Sequence, residues 1–222
     1  MKRRSLLQVL GLASTGTLLS GCTWNNKTYS QKVKVTVITP DGEKSGSAVS
    51  QIDVSVGYSL GAGEMAQANV KGEATVVDLG QGKYLFALLS EHTKVLAGVV
   101  FPNGAGKKDG PKEIPRGDVA GTANKYSVFP MLVTFTDIKD PKSVKEVKPS
   151  DLAGAFGAGY SLKRITLEIT DEKVTEGVVE KVLGWIADYA AHEFRLNGKK
   201  CIACPDDNTF AESIGTGDFK VR

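Results

Sequence analysis

The sequence predicts an α+β fold: a mostly antiparallel β-sheet or sandwich-like domain with one long helix in its C-terminal half. Three observations carry this. Short runs alternate apolar and polar residues, as half-buried strands do. Clusters rich in Gly, Pro, Asp and Ser separate those runs. One late stretch spaces its apolar residues for a helix instead. No internal repeat of fixed period is present.

In order along the chain, residues 23–31 are polar and read as a short tether. In "KVKVTVIT", Val33, Val35 and Val37 share one face and Lys32, Lys34 and Thr36 the other. "PDGEKSGS" (40–47) is turn chemistry. A second strand follows, with Ile52, Val54 and Val56 alternating against Asp53 and Ser55. In "VKGEATVVDLGQGKYLFALLS", Gly80-Gln81-Gly82 supplies the positive φ angles of a tight hairpin turn. "KYLFALL" and "KVLAGVVF" are nearly continuous apolar runs, suited to central strands covered on both faces.

Residues 102–127 interrupt this pattern with Pro102, Pro111, Pro115 and several glycines. So long a connection is unusual inside a domain. It reads as mobile or edge-covering, with a functional lid as the other reading. "VFPMLVTFTDI" is another strand, and Pro130 marks its start or a sheet edge. "DPKSVKEVKPSDLAGAF" holds a turn and a short helical segment capped by Ser150. "LKRITLEIT" alternates again, with Ile165, Leu167 and Ile169 on one face. The long helix starts from Thr175 as N-cap. It runs through Val179, Val182, Leu183, Ile186, Ala190 and Phe194 and stops at Asn197-Gly198.

The N-terminus has a different character. Lys2, Arg3 and Arg4 precede an apolar stretch, Leu6 to Leu19, diluted by Gly and Thr; the small residues Ser20 and Gly21 follow. That is the layout of a secretory signal. The apolar part is shorter than the roughly 20 residues a membrane-spanning helix needs. Leu19-Ser20-Gly21-Cys22 resembles the lipobox of bacterial lipoproteins. The resemblance covers the first 22 residues. It implies diacylglycerol on the Cys22 thiol, cleavage before Cys22, and palmitate-type acylation of the new N-terminus. Thr23, where inner-membrane retention calls for Asp, implies the outer membrane, periplasmic face, over the inner one. Lys2-Arg3-Arg4-Ser5-Leu6-Leu7 also resembles a twin-arginine export signal; a Sec signal with three basic residues fits as well.

Residues 1–21 thus read as a signal peptide, 22–31 as a lipidated tether and 32–222 as one globular domain. The chain has 28 basic and 25 acidic residues. Residues 1–21 hold three of the basic ones and no acid, so the mature chain is balanced. A balanced chain has no global attraction for nucleic acid or anionic lipid. With Cys22 given to lipid, Cys201 and Cys204 remain as a pair. Outside the cytoplasm such a pair oxidises where geometry allows.

The body, in blocks such as "VITPDGEKSGSAV" and "MLVTFTDIKDPKSVKEVKPSDLAGAFG" within 32–186, resembles a family of uncharacterised proteobacterial proteins of unknown function. That resemblance implies one continuous domain and transfers no catalytic residue. "CIACP" lies outside it.

Cys201-x-x-Cys204 is followed by Pro205, Asp206 and Asp207, and neighbouring carboxylates disfavour a thiolate. A structural disulfide is the leading reading; a redox pair, a metal pair or free thiols are the others. His92 and His192 stand alone in sequence, so no metal-ligand spacing exists. His192 reads as flanking the core beside Trp185 and Tyr189. "GAGEMA" (61–66) fits G-x-G-x-x-A, but without the helix and acid a dinucleotide site needs it reads as a loop between strands. "NGAGKKDG" lacks the first glycine and the hydroxyl of a phosphate cradle. Glu168 and Asp171 read as solvated acids at a strand end.

The expectation is therefore a lipid-anchored cell-envelope protein with a periplasm-facing binding or structural module. Its partners would be the membrane, through the anchor, and envelope proteins or glycans, not nucleic acid. No catalytic residue, cofactor or metal is assigned. The alternative is an enzyme with a dispersed site, or a thiol-redox protein using Cys201 and Cys204.

Overall fold

The computed structural model describes residues 25–59, 63–104, 109–116, 128–192, 194–200 and 209–222. The signal segment, Cys22, Cys201 and Cys204 lie outside the described residues, as does most of the 102–127 connection.

Two antiparallel sheets form the body. The first has six strands in the order β10-β3-β2-β1-β9-β6, and the second four in the order β4-β5-β7-β8. Their ranges are β1 Asn25–Thr39, β2 Gly42–Ser59, β3 Gly63–Glu73, β4 Thr75–Gly80, β5 Lys83–Ala87, β6 Lys112–Glu113, β7 Leu132–Phe135, β8 Val144–Glu146, β9 Ser161–Thr170 and β10 Lys220–Val221. The antiparallel, sheet-rich expectation is met. Strand β1 starts earlier than expected: Asn25–Gln31, read as tether, pair in register with Ser50–Val56 of β2. Polar composition concealed this because the backbone ladder needs no apolar side chain, and one face of the ribbon is solvated.

Strands β1 and β9 bury their predicted faces, while of the predicted β2 face only Ile52 is fully buried. Val35 and Val37 of β1 and Ile165 and Leu167 of β9 meet Val77, Leu79, Leu85 and Leu132 of the second sheet in one core. The sheets approach closely at Gly46 of β2. A Cβ there would stand 1.8 Å from the Val76 carbonyl oxygen, so only glycine fits. Strand β5 is covered on both sides, as its continuous apolar run predicts: Leu85 and Ala87 face the first sheet, while Phe86 and Leu88 join a second core. The β4–β5 turn has Gln81 at φ 56° and Gly82 at φ 75°, the pair of positive angles a tight hairpin requires.

The second core lies on the outer face of the second sheet. Phe86, Val133 and Val144 pack there against α3 (Val178–Val182), α4 (Ile186–Ala191) and the C-terminal Ile214 and Phe219. Phe86 meets Phe135 and Phe219 edge-on, each at 5.6 Å between ring centres. The layers are thus sheet, sheet and helices.

Four expectations are corrected. The single long helix from Thr175 to Asn197 is two short ones. The helical conformation lapses at Leu183 (φ −105°, ψ 73°), next to Gly184, and resumes at Ile186. The apolar spacing persists across the break, so periodicity alone could not reveal it. Nor is Thr175 an N-cap. Its Oγ1 accepts from the Val49 N–H at 2.9 Å and its N–H donates to the Val49 carbonyl at 3.0 Å, filling the edge of β2 past the end of its pairing with β3. "KVLAGVVF" is not a strand: a 3₁₀ turn, Glu91–Lys94, leads into α1, Leu96–Val100. A short continuous apolar run suits a buried helix as well as a buried strand. Last, α2 (Leu152–Phe156) is capped by Asp151, whose carboxylate accepts from the Gly154 N–H at 2.8 Å, rather than by Ser150.

Part of the 102–127 connection covers a sheet edge. Lys112–Glu113 add β6 to β9, and Ile114 is fully buried. Gly63–Glu73, which begins within "GAGEMA", is antiparallel strand, so no helix follows that motif and the dinucleotide reading falls.

Candidate functional site

The chain leaves the first sheet for the second at Ala74, between β3 and β4. Glu73, the last residue of β3, sits at this corner with its side chain wholly buried. An ionised carboxylate is kept in such a place only if its oxygens are satisfied. Here they are. Oε1 accepts from the Gly177 N–H at 2.5 Å, and Oε2 accepts from the Val178 and Val179 N–H groups at 2.9 and 3.1 Å. Lys220 of β10 places its ammonium 3.1 Å from Oε1.

These donors are the unpaired N–H groups that open α3, which every helix must satisfy. Glu73 does from a distant strand what a local N-cap side chain would otherwise do. That is why α3 starts after Gly177 with no capping side chain of its own. The Lys220 ammonium also donates to Glu180 of α3 at 2.8 Å. The hydrogen bond to Glu180, assisted by Glu73, raises the Lys220 pKa above its ordinary value. The same bond holds the Glu180 carboxyl below its ordinary value. Strand β10 meets β3 in register at Glu73, and the Ala74 N–H donates to the Phe219 carbonyl at 2.8 Å. The cluster therefore fastens the C-terminus, α3 and the corner between sheets. With four donors on its two oxygens, Glu73 is suited to holding these elements rather than to taking a proton from a substrate.

A second feature is an open groove of about 560 Å³ beside the β4–β5 turn, lined by Lys83, Thr134, Lys145, Lys148 and Asp151 among others. Two of its charged groups are engaged with α2: Asp151 caps its start, and Lys83 donates to the Phe156 carbonyl at 3.0 Å while lying over the Tyr160 ring. What remains is a mixed-charge surface fit for polar contact with a partner.

The residues singled out in the sequence are not brought together. His92 is in the 3₁₀ turn before α1. His192 follows α4, with Nδ1 2.9 Å from the Asp188 carbonyl and its ring stacked on Phe194. It does stand in an aromatic row with Trp185 and Tyr189. Among the described residues, no three His, Cys, Asp or Glu side chains are grouped to hold a metal ion. Nor is any helix among them long and apolar enough to cross a membrane. Glu168 lies on β9 opposite Lys32, and Asp171 just beyond the strand. Sequence reasoning missed Glu73 altogether: in "KGEAT" it looks like any polar residue at a strand end.

No protein-family model, curated protein or solved structure matches this chain.

Proposed function

We propose that the protein is a lipid-anchored component of the bacterial cell envelope, whose β-rich domain serves as a periplasm-facing binding or structural module. The observation that carries this is the Leu19-Ser20-Gly21-Cys22 sequence, which comes shortly before strand β1 along the chain. Strand β1 begins at Asn25, with only Thr23 and Trp24 between it and Cys22. An acylated Cys22 would pass directly into a folded strand and hold the whole domain at a bilayer. Each buried CH₂ of an acyl chain is worth about 0.8 kcal/mol, and two chains suffice for stable anchoring. The Glu73 cluster supports a holding role for the polar interior, and the lysine-lined groove offers a contact surface for an envelope protein or glycan.

The test is Cys22→Ser in cells fed labelled palmitate. Label and membrane association should both be lost. Palmitate retained in the variant would remove the lipobox reading. Lysine in place of both Arg3 and Arg4 separates the export routes: blocked processing indicates the twin-arginine route, unchanged maturation Sec.

A further inference from the structure

Strands β1, β2 and β3 outrun the rest of their sheet. Strand β9 pairs with β1 only from Ser30 onward, and β10 touches β3 only at Gly72 and Glu73. Beyond those points Asn25–Tyr29, Ile52–Ser59 and Gly63–Val70 form a three-stranded ribbon. Its register puts Val54 opposite Lys27 and Ala68, and Val56 opposite Ala66, on the face that carries buried Ile52. On this face Val54, Val56, Ala66 and Ala68 run outward beside Asn25 and Lys27 of β1: Val54 and Val56 are only half-buried and Ala66 is exposed. On the other face, Met65 stands 41% exposed opposite Gly57. At this end the paired segments Val56–Ser59 and Gly63–Ala66 contain a single charged residue, Glu64. The opposite end of the same strands is charged: Asp41, Glu43 and Lys44 surround the β1–β2 turn, and Lys163 pairs with Glu43.

The polypeptide enters the fold at the uncharged end. Three residue steps separate Cys22 from Asn25, a reach of at most about 11 Å. Strand β2 runs three residues past Asn25, from Val56 to Ser59, or about 10 Å. The charged turn lies fourteen steps along β1, about 45 Å away. From these lengths and this charge contrast we infer that the free end of the ribbon, around Val56, Met65 and Ala66, docks on the bilayer surface, with the charged β1–β2 turn directed away from it. This rests on the lipid-anchor reading and adds an orientation to it. The tether is too short to bring the charged turn to the membrane while the ribbon end stays in water. Small apolar side chains with few charges suit the interface, where apolar groups sink about 5–10 Å.

The test uses the full chain with Cys201→Ser and Cys204→Ser, carrying either Met65→Cys or Asp41→Cys. It is recovered from the membrane fraction, labelled with the fluorophore NBD, and reconstituted in phosphatidylethanolamine–phosphatidylglycerol vesicles. At position 65 a blue shift and loss of emission to headgroup-level spin-labelled lipid are expected, with protection from aqueous iodide. Position 41 should show the reverse. Iodide quenching as strong at 65 as at 41 would overturn the orientation while leaving the anchor in place. Shielding at 65 without quenching by spin-labelled lipid would overturn it in favour of a protein partner, such as a second copy. Recovery of the chain in the soluble fraction would overturn both the anchor and the docking.

Discussion

Replacing Glu73 by Gln tests the clasp at the corner between the sheets. The amide keeps the size of the carboxylate but turns one acceptor oxygen into a donor. If the NH₂ takes the Oε1 position, it faces the Gly177 N–H and the Lys220 ammonium. If it takes the Oε2 position, it faces the Val178 and Val179 N–H groups. Neither orientation satisfies all four donors, and Lys220 loses its buried counter-charge in both. Removing one partner of a buried charge pair costs about 3–5 kcal/mol. The whole margin of a domain is about 5–15 kcal/mol. With a urea m-value of about 2 kcal/mol/M, the unfolding midpoint should fall by roughly 2 M. Lys220→Met keeps the three backbone donors on the carboxylate but leaves it buried without its counter-charge, so it too should cost up to about 3–5 kcal/mol. Urea titrations followed by tryptophan fluorescence read both variants. A midpoint for Glu73→Gln within about 0.3 M of the parent would refute the assignment of the carboxylate as the centre of the clasp.

Gly46→Ala should destabilise by more than the ~1–3 kcal/mol of ordinary overpacking, because its methyl meets the Val76 carbonyl backbone; Gly98→Ala, whose Cβ meets nothing within 4 Å, serves as the control in the same melting experiment. Ile186→Asp puts a carboxylate into the second core, where Ile186 is 3% exposed, and should unfold the domain or lower its melting temperature sharply. Asp218 is held above its ordinary pKa by burial, against the Gly215 N–H bond that lowers it. Its favourable contribution is therefore full below the unfolded-state pKa and is lost as pH rises through the folded one. Asp218→Asn should accordingly gain on the parent as pH rises from below the ordinary Asp pKa through the raised folded one in urea titrations, and a difference that shrinks as pH rises would contradict the burial argument.

The strands were legible where one face is buried and the other wet. Val33 to Val37 and Ile165 to Ile169 carry the two-residue period because each borders a core on one side only, whereas of Ile52, Val54 and Val56 only Ile52 is buried. The paired Asn25–Gln31 segment escaped notice, since it is held by the ladder more than by apolar burial. The apolar spacing that suggested one long helix is real. Val179, Leu183 and Ile186 all enter the second core, but from two helices that share a face across a break. Glu73 was illegible for a deeper reason. Its worth lies in Gly177, Val178, Val179 and Lys220, and no local pattern links a strand end to a helix start 104 residues later. Cys22 is the opposite case: its expected chemistry rests on four consecutive residues.

The most direct measurement on the central claim is the mass of the N-terminal peptide of the protein purified from the membrane fraction. A lipid-anchored protein should begin at Cys22 and carry a thioether-linked diacylglycerol, with a further acyl group on its amine when processing is complete. A chain that retains residues 1–21, begins at another residue, or carries an unmodified Cys22 thiol would contradict the anchor.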